Sequence, residues 1–206
     1  MLRYFKTPYL FKILFFKRIW GFSRTKKSIY LTFDDGPHPD ITPWILDYLW
    51  KENIKATFFC VGDNVRKHPE IYRRILREGH AVGNHSMNHN NPIKTDKRTY
   101  LESIDEASNL IKSNLFRPPY GRLPIAWEKT IVDKYKIIMW SWLSYDYDQQ
   151  ISVPQILKKA KRIIPGDILV LHDNPKITAK QKELLPQLIE CLKEKKLTFE
   201  IIPCNE

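Results

Sequence analysis

The sequence predicts an α/β fold, a distorted (β/α) barrel of about seven parallel strands. Three observations point there. Short β-like runs alternate with amphipathic helical stretches from residue 28 onward, the pattern of βα units and a parallel sheet. The chain has 206 residues, 43% of them hydrophobic, which suits one well-cored domain and rules out disorder as its main state. The polar residues of greatest chemical interest follow the strand runs, and in such barrels the chemistry lies on loops at the C-terminal strand ends.

The expected strands fall at residues 29–33, 56–61, 80–82, 115–116, 137–142, 168–171 and 198–202. Between them lie helical stretches at about 42–53, 69–78, 97–113, 124–135, 153–163 and 179–195. Thr42-Pro43 and Val153-Pro154 read as helix starts, and Gly79 as a helix stop. Seven strands in so short a chain favour a barrel, closed or incomplete, over an open sheet. No linker or low-complexity run divides residues 28–206, which read as one domain.

Residues 1–27 read as a separate arm. The formal net charge is +11, from 34 Lys and Arg against 23 Asp and Glu. Residues 1–28 hold Arg3, Lys6, Lys12, Lys17, Arg18, Arg24, Lys26 and Lys27 and no acid, so the remainder is close to neutral. A basic sum invites a polyanion partner, but its confinement to the arm leaves no nucleic-acid partner expected. Thr7 as N-cap with Pro8 at the first helical position would start a helix. The arm either lies on a membrane surface or packs its aromatics on the domain with its bases solvated, and the second reading is preferred. Lys12 and Lys17-Arg18 interrupt the apolar run that a cleavable signal needs. No apolar run is long enough for an integral membrane protein. The sequence leaves the location open, with cytoplasmic and membrane-surface association as the two readings. Cys60 reads as a buried thiol, and Cys191 and Cys204 suggest no disulfide framework.

The chemistry gathers at the strand ends. His85 and His89, four residues apart, can reach one metal ion, and Asp35 would add an oxygen ligand. Two imidazoles and one carboxylate leave positions open for water and substrate, as a catalytic site requires. Zinc is the first expectation, with cobalt, iron or manganese also suited to these donors. Asp34 and Asp35 are adjacent carboxylates that repel unless a cation lies beside them. A divalent ion on Asp35 would free Asp34 as a general base; the competing reading is an ordinary Asp-Gly-Pro turn. His172 ends an apolar strand and suits a general acid near neutrality, or else is a satisfied core histidine. His38, His68 and His80 read as structural or solvated.

These residues resemble the polysaccharide deacetylase family, carbohydrate esterases with the NodB homology domain. Five ordered blocks carry the resemblance over roughly residues 28–202: TFDDGP at 32–37, HSMNH at 85–89, RPPYG at 117–121, the aromatic segment at 140–147 and the strand end at 169–173. The resemblance implies the distorted barrel, with Asp34 as base and Asp35, His85 and His89 as metal ligands. It implies that Arg117 holds the base, that the Tyr120 N–H helps bind the oxyanion and that His172 protonates the leaving amine. Asp146 matches the residue that tunes this histidine, with Asp148 as the alternative two residues on, and Lys55 stands where a basic partner for that acid is often found. Tyr147 replaces the family's usual Trp, and Val170 a usual Leu. The implied reaction is removal of N-acetyl groups from an N-acetylglucosamine glycan of peptidoglycan or chitin type. The alternatives are a small non-polymeric amide or imide at the same site, or a non-catalytic carbohydrate-binding protein. Trp140, Trp142 and Tyr145 are the candidates for stacking on sugar faces. The sequence leaves the oligomeric state open.

Overall fold

The structure, a computed structural model, describes residues 3–204. Its strands are β1 (Ser28–Asp34), β2 (Thr57–Cys60), β3 (Ala81–Asn84), β4 (Leu115–Phe116), β5 (Lys136–Ile137), β6 (Trp142–Leu143), β7 (Ile168–His172) and β8 (Thr198–Phe199). Its helices are α1 (Tyr9–Leu14), α2 (Thr42–Lys51), α3 (Gly62–Lys67), α4 (Pro69–Arg77), α5 (Lys97–Leu110), α6 (Ile125–Val132), α7 (Val153–Ala160) and α8 (Thr178–Glu194). Every strand pairing is parallel, in the order β5-β4-β3-β2-β1-β7-β6, with β8 beside the start of β1. The sheet curls into an incomplete barrel, as expected, because β5 and β6 are its two edges. None of these helices is long and apolar enough to cross a membrane.

Alternation along the strands decides what faces where. Ile29, Leu31 and Phe33 of β1 join the large cluster beneath α2, α4, α7 and α8, with Phe58 of β2 and Leu169 and Leu171 of β7. The opposite set, Tyr30, Phe59, Leu115 and Ile168, fills the barrel interior with Ile138 and Ile202. Thr32 and Asp34 share that inward parity further along β1, and His172 shares it on β7. The register sets Asp34 beside His172 across β1 and β7. Two polar residues thus cap an apolar interior because both strands keep the same parity to their ends.

The expected strand at 137–142 is corrected: it is two strands on opposite edges. Ile138 N–H still bonds Phe116 on the β4 side, whereas Ser141 N–H already bonds Ile168 on the β7 side. The chain crosses the open seam between them, and the N-terminal segment fills it. Ile19 N–H donates to Ile137 O, Met139 N–H donates to Ile19 O, and Leu143 N–H donates to Phe5 O. Residues 3–27 are therefore bonded into the sheet along both edges.

Two expectations about that segment are also corrected. Thr7 does not cap α1; its hydroxyl donates to Trp140 O, and Pro8 is the cap residue. Nor are all the bases solvated and the aromatics packed. Arg18 is buried against Glu128 and Leu123 O, Lys6 pairs with Asp167, and Arg3 bonds Asp148 and Gln150. Phe5, Phe15, Trp20 and Phe22 pack on the body, while Tyr9, Phe11 and Phe16 are exposed. Helix α3 was absent from the expectation because only Gly62 and Val65 of its six residues are buried, too few to make an apolar period.

Candidate active site

The rim at the C-terminal strand ends gathers Asp34, Asp35, His85, His89, Arg117, Tyr120, Asp146 and His172. Asp34 ends β1 and is buried, and its Oδ1 accepts from Arg117 Nη1 at 2.6 Å. Arg117 follows β4 directly into the barrel and is fully enclosed. Its guanidinium also donates to Thr32 Oγ1 at 2.7 Å, Ile138 O at 3.2 Å and Met139 O at 3.1 Å, and it lies 4.0 Å over the Phe59 ring. Every edge of the guanidinium is therefore engaged, and one carboxylate oxygen of Asp34 is fixed while the other stays outside this pair. Burial pulls the Arg117 pKa below its usual value, against the opposing charge of Asp34.

Asp35, the next residue, turns away by adopting a left-handed backbone, φ 87°. Its Oδ1 lies 3.3 Å from His89 Nε2 and 3.8 Å from His85 Nε2. One ligand atom from each of the three residues lies within 4.8 Å of the others, the one such group of three among the described residues. Ligands at about 2.0–2.1 Å on a tetrahedral ion stand about 3.3 Å apart, so the spacing fits a divalent cation. His85 Nδ1 lies 2.8 Å from Arg117 O, which assigns its proton to Nδ1 and leaves the Nε2 lone pair facing Asp35. Burial lowers the His85 pKa to about 4, so this ring is neutral, as a ligand must be. Burial works to raise the Asp35 pKa, but the charge of His172, helped by the neighbouring imidazoles and the Asn174 hydrogen bond, holds it below the usual value.

The loop that carries the two histidines is pinned from β3. Asn84 Oδ1 accepts from Ser86 N–H, Asn84 Nδ2 donates to Ile104 O, and Met87 N–H bonds Ser103. Seven non-glycine residues have positive φ among the described residues, and five of them lie on the rim: Asp35, Ser86, His89, Tyr120 and Tyr145. Such conformations cost about 1–3 kcal/mol each and persist where surrounding structure enforces them.

His172 closes the opposite side. Its Nδ1 lies 2.7 Å from Asp146 Oδ1, and its backbone N–H donates to Asp146 Oδ2 at 2.8 Å. Burial works to lower the His172 pKa, yet the charge and hydrogen bond of Asp146, with smaller contributions from Asp35 and Asp34, raise it to about 10. Asp146 is the acid bonded to this ring; Asp148 instead faces Arg3. Lys55 is corrected, since it precedes β2 at the far end of the strands and lies over the Trp50 ring. Of the candidate sugar-stacking residues, Trp142 is corrected as core, while Trp140 and Tyr145 are half-buried. Trp142 is fully buried, Trp140 is wedged against Gly121, and Tyr145 packs on Phe5 with its hydroxyl at the Tyr4 backbone. The exposed rim aromatics are Tyr120 (57%) and Tyr147 (49%), whose rings lie 4.6 Å from His89 and 5.1 Å from His172.

Residues that sequence reasoning passed over complete the site. Asn174 Nδ2 lies 3.3 Å from Asp35 Oδ2, and Asn64 Nδ2 donates to Asp35 O at 2.7 Å. Asp173, at the end of the 169–173 block, accepts from Gly36 N–H at 2.8 Å and from the Thr42 hydroxyl at 2.6 Å. Burial raises its pKa to about 7. Asn174 carried a weak signal, a polar side chain two residues past a strand-end histidine. Asn64 carried none.

A carboxylate held by arginine, a His-His-Asp donor set and a histidine held by a second aspartate thus share the rim of an open parallel barrel, a set of groups suited to hydrolytic chemistry. The sequence profile of the family described as polysaccharide deacetylase matches residues 22–136. The chain belongs to that family. A peptidoglycan-N-acetylglucosamine deacetylase of Bacillus cereus is 32% identical over 197 residues, covering 87% of this chain and 88% of its own. A chitooligosaccharide deacetylase of a Bradyrhizobium species is 33% identical over 170 residues, covering 76% and 75%. The crystal structure of the peptidoglycan N-acetylglucosamine deacetylase Bc1960 superposes with a TM-score of 0.86 at 30% identity, over 96% of this chain and 95% of that one. A CE4 family pseudoenzyme of Bacillus anthracis shares the fold as well, with a TM-score of 0.78 at 25% identity over 90% and 67%. The fold is thus common to active and inactive relatives, and the side chains on the rim must carry any argument for activity.

Proposed function

We propose that the protein removes N-acetyl groups from an N-acetylglucosamine glycan, peptidoglycan or chitin-type, and releases acetate. The observation that carries this reading is the juxtaposition of the Arg117-held Asp34 with the Asp35-His85-His89 group on one side and the Asp146-held His172 on the other. Asp35, His85 and His89 would hold a divalent cation, zinc by preference, since two neutral imidazoles and a carboxylate suit it. Bound there, the cation supplies a Lewis acid that polarises the amide carbonyl and acidifies a water.

The chain's own residues do the rest. Asp34 takes a proton from the attacking water through the oxygen that Arg117 leaves outside its grip. Arg117 fixes the orientation of that carboxylate and balances its charge. The Tyr120 N–H, on a left-handed turn beside His89, stabilises the charge that develops on the carbonyl oxygen. His172, protonated at neutral pH, gives its proton to the departing nitrogen, so that the products are acetate and a free amine. Asp146 holds the ring through Nδ1 and leaves Nε2 as the donor. The open rim favours a polymer over a small enclosed amide, because Tyr120 and Tyr147 stand exposed on either side of the site. The test is acetate release by zinc-loaded protein from peptidoglycan and from chitooligosaccharides side by side. Release from one or both supports the proposal, and release from neither, with a small cyclic imide hydrolysed instead, overturns it.

A further inference from the structure

Helix α1 lies close to the starts of β6 and β7, with Lys12 beside Gly166 and Asp167. The segment that carries it is tied to the starts of β6 and β7, through Thr7 N–H to Ser141 O, the Lys6–Asp167 pair and Phe22 N–H to Gly166 O. Asp34 and His172, by contrast, stand at the other ends of β1 and β7.

At 100° per residue, Tyr9, Leu10, Ile13 and Leu14 fall within one 140° arc of α1, with Lys12 on the other side. Lys12 lines the hollow shared with Gly21, Arg24 and Asp167, so its side of the helix faces the body. The apolar arc faces out. Tyr9 is 75% exposed, Leu10 62%, Ile13 54% and Leu14 59%, and Phe16 just beyond is 77% exposed. None of the helix's six residues is buried, so this arc does not hold α1 to the domain. Exposed apolar groups gathered in one place on a small domain mark an interaction surface.

The surrounding charge selects the partner. Lys17, Arg24, Lys26 and Lys27 are exposed on the same segment, and residues 1–28 contain no acid to offset them. A second copy of the chain would bring like charges together, whereas exposed apolar side chains on a segment that also carries exposed bases match an anionic bilayer, with its acyl layer beneath negative headgroups. We propose that this end of the molecule docks on an anionic lipid surface. Tyr9, Leu10, Ile13, Leu14 and Phe16 enter the headgroup–acyl boundary and the bases stay at the headgroups. The catalytic rim then points away from the bilayer. The proposal is independent of what the rim hydrolyses.

Flotation of the full chain with vesicles tests it, comparing equal parts phosphatidylcholine and phosphatidylglycerol with phosphatidylcholine alone. The chain is expected to float with the mixed vesicles and to be released by high salt. Leu10→Ser and Phe16→Ser change exposed side chains and should each weaken partitioning about tenfold, while Lys26→Gln and Lys27→Gln should each weaken it about fivefold. Unchanged acetate release and melting temperature in these variants would separate docking from folding and catalysis. Absence of flotation, flotation indifferent to these substitutions, or a dimer in sedimentation that Phe16→Ser disperses would each overturn the proposal.

Discussion

Replacing Asp146 by Asn should move the pH profile of the enzyme as well as lower its rate. In the folded chain burial disfavours charge on His172, and the Asp146 carboxylate is the largest influence that restores it, giving a pKa of about 10. Without that negative charge the ring returns to its ordinary value near 6.5 or below, since burial then acts with less opposition. At pH 8 a ring with a pKa of 6.5 carries its proton in only about 3% of molecules, so an acid-dependent step slows at least about thirtyfold. The geometry adds a second cost. Asp146 Oδ1 accepts from His172 Nδ1 and Tyr147 N–H, while Oδ2 accepts from His172 N–H. An Asn side chain has one oxygen, so one of these donors must face an amide NH2. That loss is worth about 1–3 kcal/mol for a buried group. The assay is kcat for acetate release against pH in both proteins. The alkaline limb should fall from near 10 in the parent to near or below 6.5 in Asp146→Asn, with activity partly regained in acid. Asp148→Asn should leave the limb in place, because Asp148 bonds Arg3 instead. An unmoved alkaline limb in Asp146→Asn, with kcat within threefold of the parent at pH 8, would refute the pairing as the source of the acid.

Three further outcomes follow from the same contacts. Arg117→Met leaves the buried Asp34 carboxylate without its partner, so urea denaturation should register a loss of about 3–5 kcal/mol. Gly36→Ala puts a Cβ 1.8 Å from Asp173 Oδ2, so the Asp173 carboxylate or the loop carrying Asp35 must shift. A lower melting temperature and weaker zinc retention are expected, and parent-like values for both would contradict the packing. Asp173 has a native pKa of about 7 against an ordinary 3.8, so the native state binds more protons than the unfolded chain between those values. Stability should therefore fall as pH rises from about 4 to 7. Denaturation at pH 5 and 8 should show that slope in the parent and a flatter one in Asp173→Asn, whose amide still accepts from Gly36 N–H and can donate to Thr42.

The legible parts of this protein are those where periodicity and polarity coincide. β1 and β7 are long apolar runs ending in Asp34 and His172, so their position and their chemistry could be read together. Their adjacency follows from parallel pairing, which the strand–helix alternation already implied. The His85–His89 spacing made the donor pair visible because both ligands come from one loop. The run at 137–142 hid its division, since hydrophobicity says that a strand is buried but not which neighbour it pairs with. Asp146 and Asp148 lie on one turn, and only the register of β6 against β7 brings the first to His172. Lys55 was misplaced because a basic residue next to a strand does not reveal which end of the barrel it occupies. The aromatics were misassigned for a related reason. Trp142 and Tyr145 are covered by Phe5, a contact across more than one hundred residues with no local signature.

The proposed function rests on Asp34, beside the Asp35-His85-His89 group, driving hydrolysis of an N-acetyl amide. The most direct measurement counts acetate released and free glucosamine amines formed by zinc-loaded parent and Asp34→Asn proteins on the same N-acetylated glycan. Equal amounts of acetate and amine are expected from the parent. Asp34→Asn should retain zinc through Asp35, His85 and His89 while its rate falls by about 10²–10⁴-fold, the range for losing a general base. Parent-like turnover in Asp34→Asn, or acetate released without a matching amine, would contradict it.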